Sequence, residues 1–101
     1  MLGYLPESGS LNQAARIILS VGRLASTQVD VRVILHEALS CNAVSMILCH
    51  NHPSGNFQPS KDDDRLTHAL LEAGRIMNIR LLDHVIVTDG SYYSYGDEGR
   101  L

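Results

Sequence analysis

The stretch from Cys49 to Asp64, CHNHPSGNFQPSKDDD, constrains the fold of this chain more than any other. It ends the short apolar run AVSMILC, which shows no polar alternation and therefore predicts a strand covered on both faces. Pro53 and Gly55 then turn the chain. Ser60 followed by acidic residues is typical of a helix start, because negative side chains are favourable near a helix N-terminus. The stretch thus predicts a central strand, a turn and a helix in immediate succession.

The polar side chains of this stretch predict a metal site. His50 and His52 lie two residues apart at the strand exit, so in extended backbone both imidazoles project from the same side. Asp63 falls in the first turn of the helix, where its carboxylate can face back toward the strand end. Two imidazoles and one carboxylate form a ligand set for Zn²⁺ that leaves a fourth position for water, as in catalytic zinc sites. Ser60 has two competing roles, as the helix cap or as a donor to a developing oxyanion.

Each of these features alone has an ordinary structural explanation. A histidine on an apolar strand is usually a core residue with a satisfied hydrogen bond, and a run of aspartates at a helix start is usually a solvated face. The combination H-x-H-x₇-S-x-x-D carries the prediction, because at ordinary residue usage it should arise by chance in on the order of one chain in several thousand.

The rest of the chain predicts an α/β fold with a mixed sheet. One helix is predicted at about 30–41 with Asp30 as its N-cap, and a second helix begins after Ser60. The segment Arg80–Gly99 predicts a hairpin with a type I′ turn at Asp89-Gly90. The first 24 residues predict one or two short strands. The predicted core stripes are Val31, Ile34, Leu35, Ala38 and Leu39 in the first helix and Leu66, Ala69, Leu70, Ala73 and Met77 in the second.

Length, charge and cysteine usage narrow the function classes. A chain of 101 residues predicts a single domain spanning 1–101. The net charge of -3, with Lys and Arg scattered along the chain, argues against nucleic-acid binding by this chain alone. The apolar runs are too short for a membrane span. Cys41 and Cys49 lack Cys-x-x-Cys spacing and the start shows no signal-peptide pattern, so the sequence predicts a reduced, cytoplasmic protein.

HNHPSGNFQPSKDDD resembles the metal-binding signature of the JAMM (MPN-plus) metalloprotease superfamily, and HNHPSG together with LLDHVIV resembles its RadC-like branch. The similarity covers roughly Ser26 to Tyr95. It implies a cytidine-deaminase-like α/β/α architecture that lacks part of the N-terminal strand, a zinc ion held by His50, His52 and Asp63, and a Ser60 that stabilises a tetrahedral intermediate. In the better understood relatives this site cleaves isopeptide bonds. We therefore expect a zinc-dependent hydrolase domain that acts on an amide or isopeptide bond of a peptide or protein substrate.

One departure from the family pattern keeps other functions open. The superfamily uses an upstream glutamate as its general acid/base, but only Glu7 and Glu37 precede His50 here, and neither matches that role. A catalytically inactive metal-binding or protein-interaction module is therefore the first alternative. An accessory role in DNA repair, suggested only by the family's name, is the second.

Two further expectations concern His84 and the edge of the sheet. His84 lies in a predicted strand, where a structural hydrogen bond is more common than metal ligation. A shortened N-terminal strand would leave a sheet edge exposed, and an exposed edge can pair with another chain, so homodimerisation stays open.

Overall fold

The computed structural model describes residues 14–52 and 56–101 as a mixed five-stranded sheet with two helices. The strand order is β2-β1-β3-β4-β5, in which β3 and β4 are parallel and the other neighbours are antiparallel. The α/β class and the mixed sheet agree with the prediction. The elements are β1 (Ala14–Leu19), β2 (Leu24–Gln28), α1 (Val31–Ser40), β3 (Ser45–Asn51), α2 (Lys61–Met77), β4 (Arg80–Thr88) and β5 (Ser91–Ser94).

β1 lies in the N-terminal segment that is predicted to form one or two short strands, and it forms a hairpin with β2, a strand that the sequence does not predict. β1 alternates strictly between buried and exposed side chains, with Ala15, Ile17 and Leu19 facing the core. Gly22 has a φ of 82° in the turn, a left-handed conformation that favours glycine. β2 follows and pairs only with β1, so it is an edge strand of the described sheet. The part of the predicted strand segment that precedes Ala14 lies outside the described residues.

Helix α1 begins where the sequence predicts. Asp30 is its N-cap, and the carboxylate accepts a hydrogen bond of 2.9 Å from the backbone N–H of Arg32. Ile34 and Ala38 are fully buried, whereas Leu39, which is predicted to belong to the core stripe, is 48% exposed, so the prediction is wrong at this residue.

The unit β3-α2-β4 forms the centre of the molecule. Met46 and Leu48 of β3 are buried under the helices, while Ile47 and Cys49 on the opposite face are half-buried, so β3 is covered less completely there than predicted. Helix α2 buries Leu66 and Leu70 but leaves Met77 48% exposed.

The chain leaves α2 and enters β4 through a close backbone contact at Gly74. The Gly74 carbonyl accepts from the Ile79 N–H at 2.8 Å, and Asn78 between them has a left-handed φ of 60°. A Cβ on Gly74 would lie 2.2 Å from the Ile79 carbonyl oxygen, so glycine is required at this position.

β4 and β5 form the predicted hairpin with a two-residue loop, since Thr88 pairs with Ser91. The turn type differs from the prediction. Type I′ needs positive φ at both central residues, and only Gly90 has it, with a φ of 86°.

Both described helices pack on one face of the sheet, because their buried residues share one cluster with alternate residues of the strands. The described part of the chain has no helix on the other face, so the third layer of the expected α/β/α stack is not among these residues. Among the described residues, no helix combines the length and the hydropathy that crossing a membrane requires.

Candidate metal centre

The sequence-predicted ligands converge where β3 ends and α2 begins. His50 continues the buried face of β3 and is 3% exposed. His52 lies just beyond the strand, where its backbone N–H donates to the Val87 carbonyl at 3.1 Å and so extends the pairing of β3 with β4. Asp63 comes from the first turn of α2. One ligand atom from each of the three side chains lies within 4.8 Å of the others.

A capping box sets the orientation of Asp63. The Ser60 hydroxyl accepts from the Asp63 backbone N–H at 3.1 Å, and Asp63 Oδ2 accepts from the Ser60 backbone N–H at 2.7 Å. The carboxylate oxygens then face the two imidazoles: Oδ1 lies 3.1 Å from His50 Nε2, and Oδ2 lies 3.0 Å from His52 Nε2. The helix start therefore places the carboxylate beside both histidines.

The His52 ring has a defined tautomer. Its Nδ1 lies 2.9 Å from the backbone carbonyl oxygen of Asn56, and a carbonyl can only accept. Nδ1 must therefore carry the proton, which leaves Nε2 of the neutral ring with a bare lone pair toward Asp63 Oδ2. Two acceptors 3.0 Å apart repel each other unless a cation or a proton lies between them.

His50 also has a ring nitrogen that a cation or a proton would satisfy. Its Nε2 is one of two buried side-chain polar atoms that lack a hydrogen-bond partner within residues 14–52 and 56–101. The distance of 3.1 Å to Asp63 Oδ1 is that of an ion pair, without the alignment of a hydrogen bond. A buried polar atom without a partner is unfavourable. Two imidazole nitrogens and one carboxylate suit Zn²⁺, so the donor set fits the metal predicted from sequence.

The Asp63 carboxyl is held in its charged form. Burial alone would raise its pKa, but a positive charge on the adjacent His50 imidazole, whenever that ring is protonated, and the hydrogen bond from the Ser60 backbone N–H outweigh burial and hold the pKa well below its usual range. Asp63 is thus a carboxylate at any physiological pH, as a metal ligand must be.

His84 lies directly behind the cluster and makes the structural hydrogen bonds predicted for it. It is 0% exposed, with Nε2 3.0 Å from His50 Nδ1 and Nδ1 2.6 Å from Thr67 Oγ1. Its ring stacks on Tyr95 with centroids 4.9 Å apart. Burial, followed by the proximity of His50, lowers the pKa of His84 to about 4. The link to His50 and the role of Thr67 are not predicted from the sequence, although Thr67 lies one helical turn after Asp63, on the same face of α2.

Ser60 is exposed at the start of α2, and the two roles predicted for it need not compete. Capping uses the acceptor capacity of the hydroxyl, because Oγ accepts from the Asp63 N–H. A serine hydroxyl also has a donor hydrogen, which stays available.

A scan against protein-family models matches residues 7–100 to the RadC-like JAB domain. The chain belongs to this family. The resemblance seen in HNHPSG and LLDHVIV is thereby confirmed at the level of the family.

Curated relatives of this RadC-like JAB domain share the same match. The chain is similar to a UPF0758 protein of Flavobacterium johnsoniae, with 44% identity over 98% of this chain and 47% of that protein. It is 46% identical to a UPF0758 protein of Porphyromonas gingivalis over 90% of this chain and 42% of that protein. A UPF0758 protein of Streptococcus gordonii is 49% identical over 77% of this chain and 34% of that protein. The chain therefore spans less than half the length of these relatives.

The structure does not bring a glutamate to the cluster from the described residues upstream of His50. Glu37 is ion-paired with Arg23 at 2.8 Å. Arg23 lies in the β1-β2 turn, beside the start of β3, whereas His50 lies at the other end of that strand. Glu37 is therefore held at the opposite end of the sheet. Glu7 lies outside the described residues.

Proposed function

We propose that this RadC-like JAB domain is a zinc-dependent hydrolase that cleaves an amide or isopeptide bond in a peptide or protein. The single observation that carries the proposal is the arrangement of two histidine Nε2 atoms at 3.0 and 3.1 Å from the two oxygens of one carboxylate. One of these nitrogens is buried without a hydrogen-bond partner among the described residues. This arrangement suits a metal cation, and the family assignment supports a JAMM-type site.

The residues of the chain have distinct roles in this proposal. His50, His52 and Asp63 would hold the metal, and three protein ligands leave a further position for substrate or water. The metal supplies Lewis acidity, which polarises a carbonyl and activates water near neutral pH. Ser60 can donate its hydroxyl hydrogen to the oxygen that gains negative charge, a contribution typically worth about 10²–10³ in rate.

Hydrolysis at such a centre also requires a proton acceptor. General-base catalysis typically contributes about 10²–10⁴ in rate. The ion pair of Glu37 with Arg23 favours a second candidate, an inactive metal-binding or protein-interaction module, because it holds the one described upstream glutamate far from the cluster. An accessory role in DNA repair has less support, since the net charge of -3 provides no general attraction to phosphates.

The first test is metal content. We expect close to one zinc per chain in protein purified without chelator, measured by plasma emission, and tight rebinding by the metal-free form. His52→Ala should lose both properties. His68→Ala is the matched control, because His68 is an exposed histidine of α2 and should leave zinc unchanged. Equal zinc in the wild type and in His52→Ala would refute the metal centre.

The second test is turnover of internally quenched peptides, including peptides joined through a lysine ε-amino group. Zinc-dependent cleavage that Ser60→Ala slows while zinc stays bound would support the hydrolase. Stoichiometric zinc without turnover of any such peptide would favour the inactive module.

A further inference from the structure

Thr67 forms two hydrogen bonds through one hydroxyl. Its Oγ1 donates to the backbone carbonyl oxygen of Asp63 at 2.9 Å and lies 2.6 Å from Nδ1 of His84. A hydroxyl has a single hydrogen, and a carbonyl oxygen can only accept. That hydrogen therefore goes to Asp63, and Thr67 must accept from His84. The proton of the His84 ring is thus on Nδ1.

The hydrogen bond between His84 and His50 then determines which nitrogen of His50 carries its proton. His84 Nε2 and His50 Nδ1 are 3.0 Å apart, so one of them carries the shared hydrogen. A proton on His84 Nε2, added to the one on Nδ1, would create an imidazolium that is 0% exposed. A buried charge of this kind is costly unless it is paired, and the two ring nitrogens contact a hydroxyl and another imidazole rather than a carboxylate. His50 Nδ1 is therefore the donor, and its Nε2 is bare.

We propose that Thr67 and His84 are positioning residues that fix the tautomer of His50, so that its Nε2 lone pair faces the ligand oxygen of Asp63. We call the hydrogen-bonded chain from Thr67 through His84 to His50 the relay. This inference rests on the proposed metal centre, because the relay orients one of its ligands. The relay forms a closed ring, because Asp63 provides a carboxylate to the centre and its backbone carbonyl to Thr67. His52 is fixed separately by the Asn56 carbonyl. Such outer partners orient metal-binding imidazoles and raise their basicity.

Stacking on Tyr95 holds the relay in place. The planes of the His84 and Tyr95 rings differ by only 6°. The backbone N–H of Tyr95 also donates to the His84 carbonyl at 3.0 Å. Because the His84 ring is packed in this way, it cannot turn to exchange its two nitrogens without disturbing the β4-β5 region.

The direct test is the protonation of each imidazole nitrogen, read by long-range ¹H–¹⁵N correlation NMR on the metal-free chain. At about pH 8 an ordinary histidine is neutral, and a free neutral imidazole prefers the proton on Nε2. We expect His84 to carry its proton on Nδ1, against that preference. The exposed His68 serves as an internal reference with the ordinary tautomer. A wild-type His84 with its proton on Nε2 would overturn the relay.

Two pairs of variants test the consequence for Zn²⁺ binding, measured by competition with a chromophoric chelator. Thr67→Val removes the acceptor and should shift the His84 proton to Nε2, whereas Thr67→Ser keeps the hydroxyl. His84→Phe keeps an apolar ring beside Tyr95 but accepts nothing, whereas His84→Gln offers an amide oxygen to His50 Nδ1. We expect Kd for Zn²⁺ to rise about 10–100-fold in Thr67→Val and His84→Phe. The Ser and Gln variants should stay close to the wild type.

These measurements separate failure of the relay from failure of the proposed function. Unchanged zinc affinity in both Thr67→Val and His84→Phe, in a wild type that binds zinc, would overturn the positioning role. If the wild type bound no zinc, the metal centre would fail, and the positioning role would fail with it. The NMR spectrum of the wild type keeps the tautomer assignment testable even if a variant does not fold.

Discussion

Replacing His84 with glutamine should change how the stability of the metal-free chain depends on pH. In the folded state the pKa of His84 is lowered from 6.5 to about 4, chiefly by burial. The unfolded chain therefore binds a proton at this position below pH 6.5, while the folded chain does not bind it until about pH 4. This contribution to stability is complete above pH 6.5 and is lost progressively as the pH falls toward 4.

The size of the effect follows from the two pKa values. A tenfold change in proton affinity corresponds to about 1.4 kcal/mol, so the fall from 6.5 to about 4 is worth about 3 kcal/mol. A domain is typically stable by only about 5–15 kcal/mol, so the loss should be easy to measure. The Asp63 carboxyl does not affect this comparison. Because its pKa is lowered in the folded state, its contribution to the free energy of unfolding is complete above pH 3.8 and is lost only at lower pH.

The assay is urea unfolding followed by circular dichroism, with a chelator present, at intervals between pH 7.5 and 4. The free energy of unfolding of the wild type should fall by about 3 kcal/mol more than that of His84→Gln over this range. A constant offset between the two plots of unfolding free energy against pH reflects other effects of the substitution. Only the difference in their pH dependence tests the lowered pKa of His84. Parallel curves would refute the conclusion that His84 is buried as a neutral imidazole.

Three further substitutions have defined outcomes. A glycine-to-alanine substitution ordinarily stabilises a helix interior by about 0.5–1 kcal/mol. Gly74→Ala should instead cost about 1–3 kcal/mol of stability, measured by denaturant titration, because the new Cβ would lie 2.2 Å from the Ile79 carbonyl oxygen. A more stable variant would contradict that contact. Ser60→Ala should cost about 1 kcal/mol of stability through the lost cap but leave zinc affinity close to that of the wild type, because the Asp63 carboxylate keeps its hydrogen bond from the backbone N–H of residue 60; a large loss of zinc affinity by chelator competition would contradict this. Glu37→Gln breaks a partly exposed ion pair with Arg23 and should change stability by less than about 1 kcal/mol and leave turnover unchanged; abolished turnover would identify Glu37 as the missing base.

Local sequence signals predicted the elements around the cluster. The N-caps Asp30 and Ser60 fix the starts of both helices through short-range hydrogen bonds, so the boundaries could be read directly. The convergence of His50, His52 and Asp63 was also predictable, because a strand end, a turn and a helix start are adjacent in the chain.

The burial pattern of α2 was harder to predict from hydropathy. Met77 was expected in the core but is 48% exposed, whereas Thr67 and Gly74 are buried. Thr67 is tolerated there because its hydroxyl has two partners, and Gly74 because the chain returns to it at Ile79. Both reasons depend on contacts that an apolar stripe does not encode.

The link from His84 to His50 could not be read from sequence because it is non-local. The two residues are 34 positions apart, and their contact depends on the register of the parallel strands, in which His84 pairs with Leu48. The register also contains an irregularity between Met46 and Ile47. A sequence pattern fixes which face His84 occupies only once that register is known.

The capping box at the start of α2 affects how the signature should be read in other chains. Ser60 and Asp63 bond to each other's backbone, so both would remain useful to the fold after all metal binding had been lost. A serine and an aspartate three residues apart can therefore persist in a relative with no enzymatic activity. His52 has no comparable structural role. Its ring lies at the rim of the cluster and contacts the Asn56 carbonyl and the Asp63 carboxylate. His52, rather than the Ser-x-x-Asp half, is the part of the signature whose loss would mark an inactive descendant.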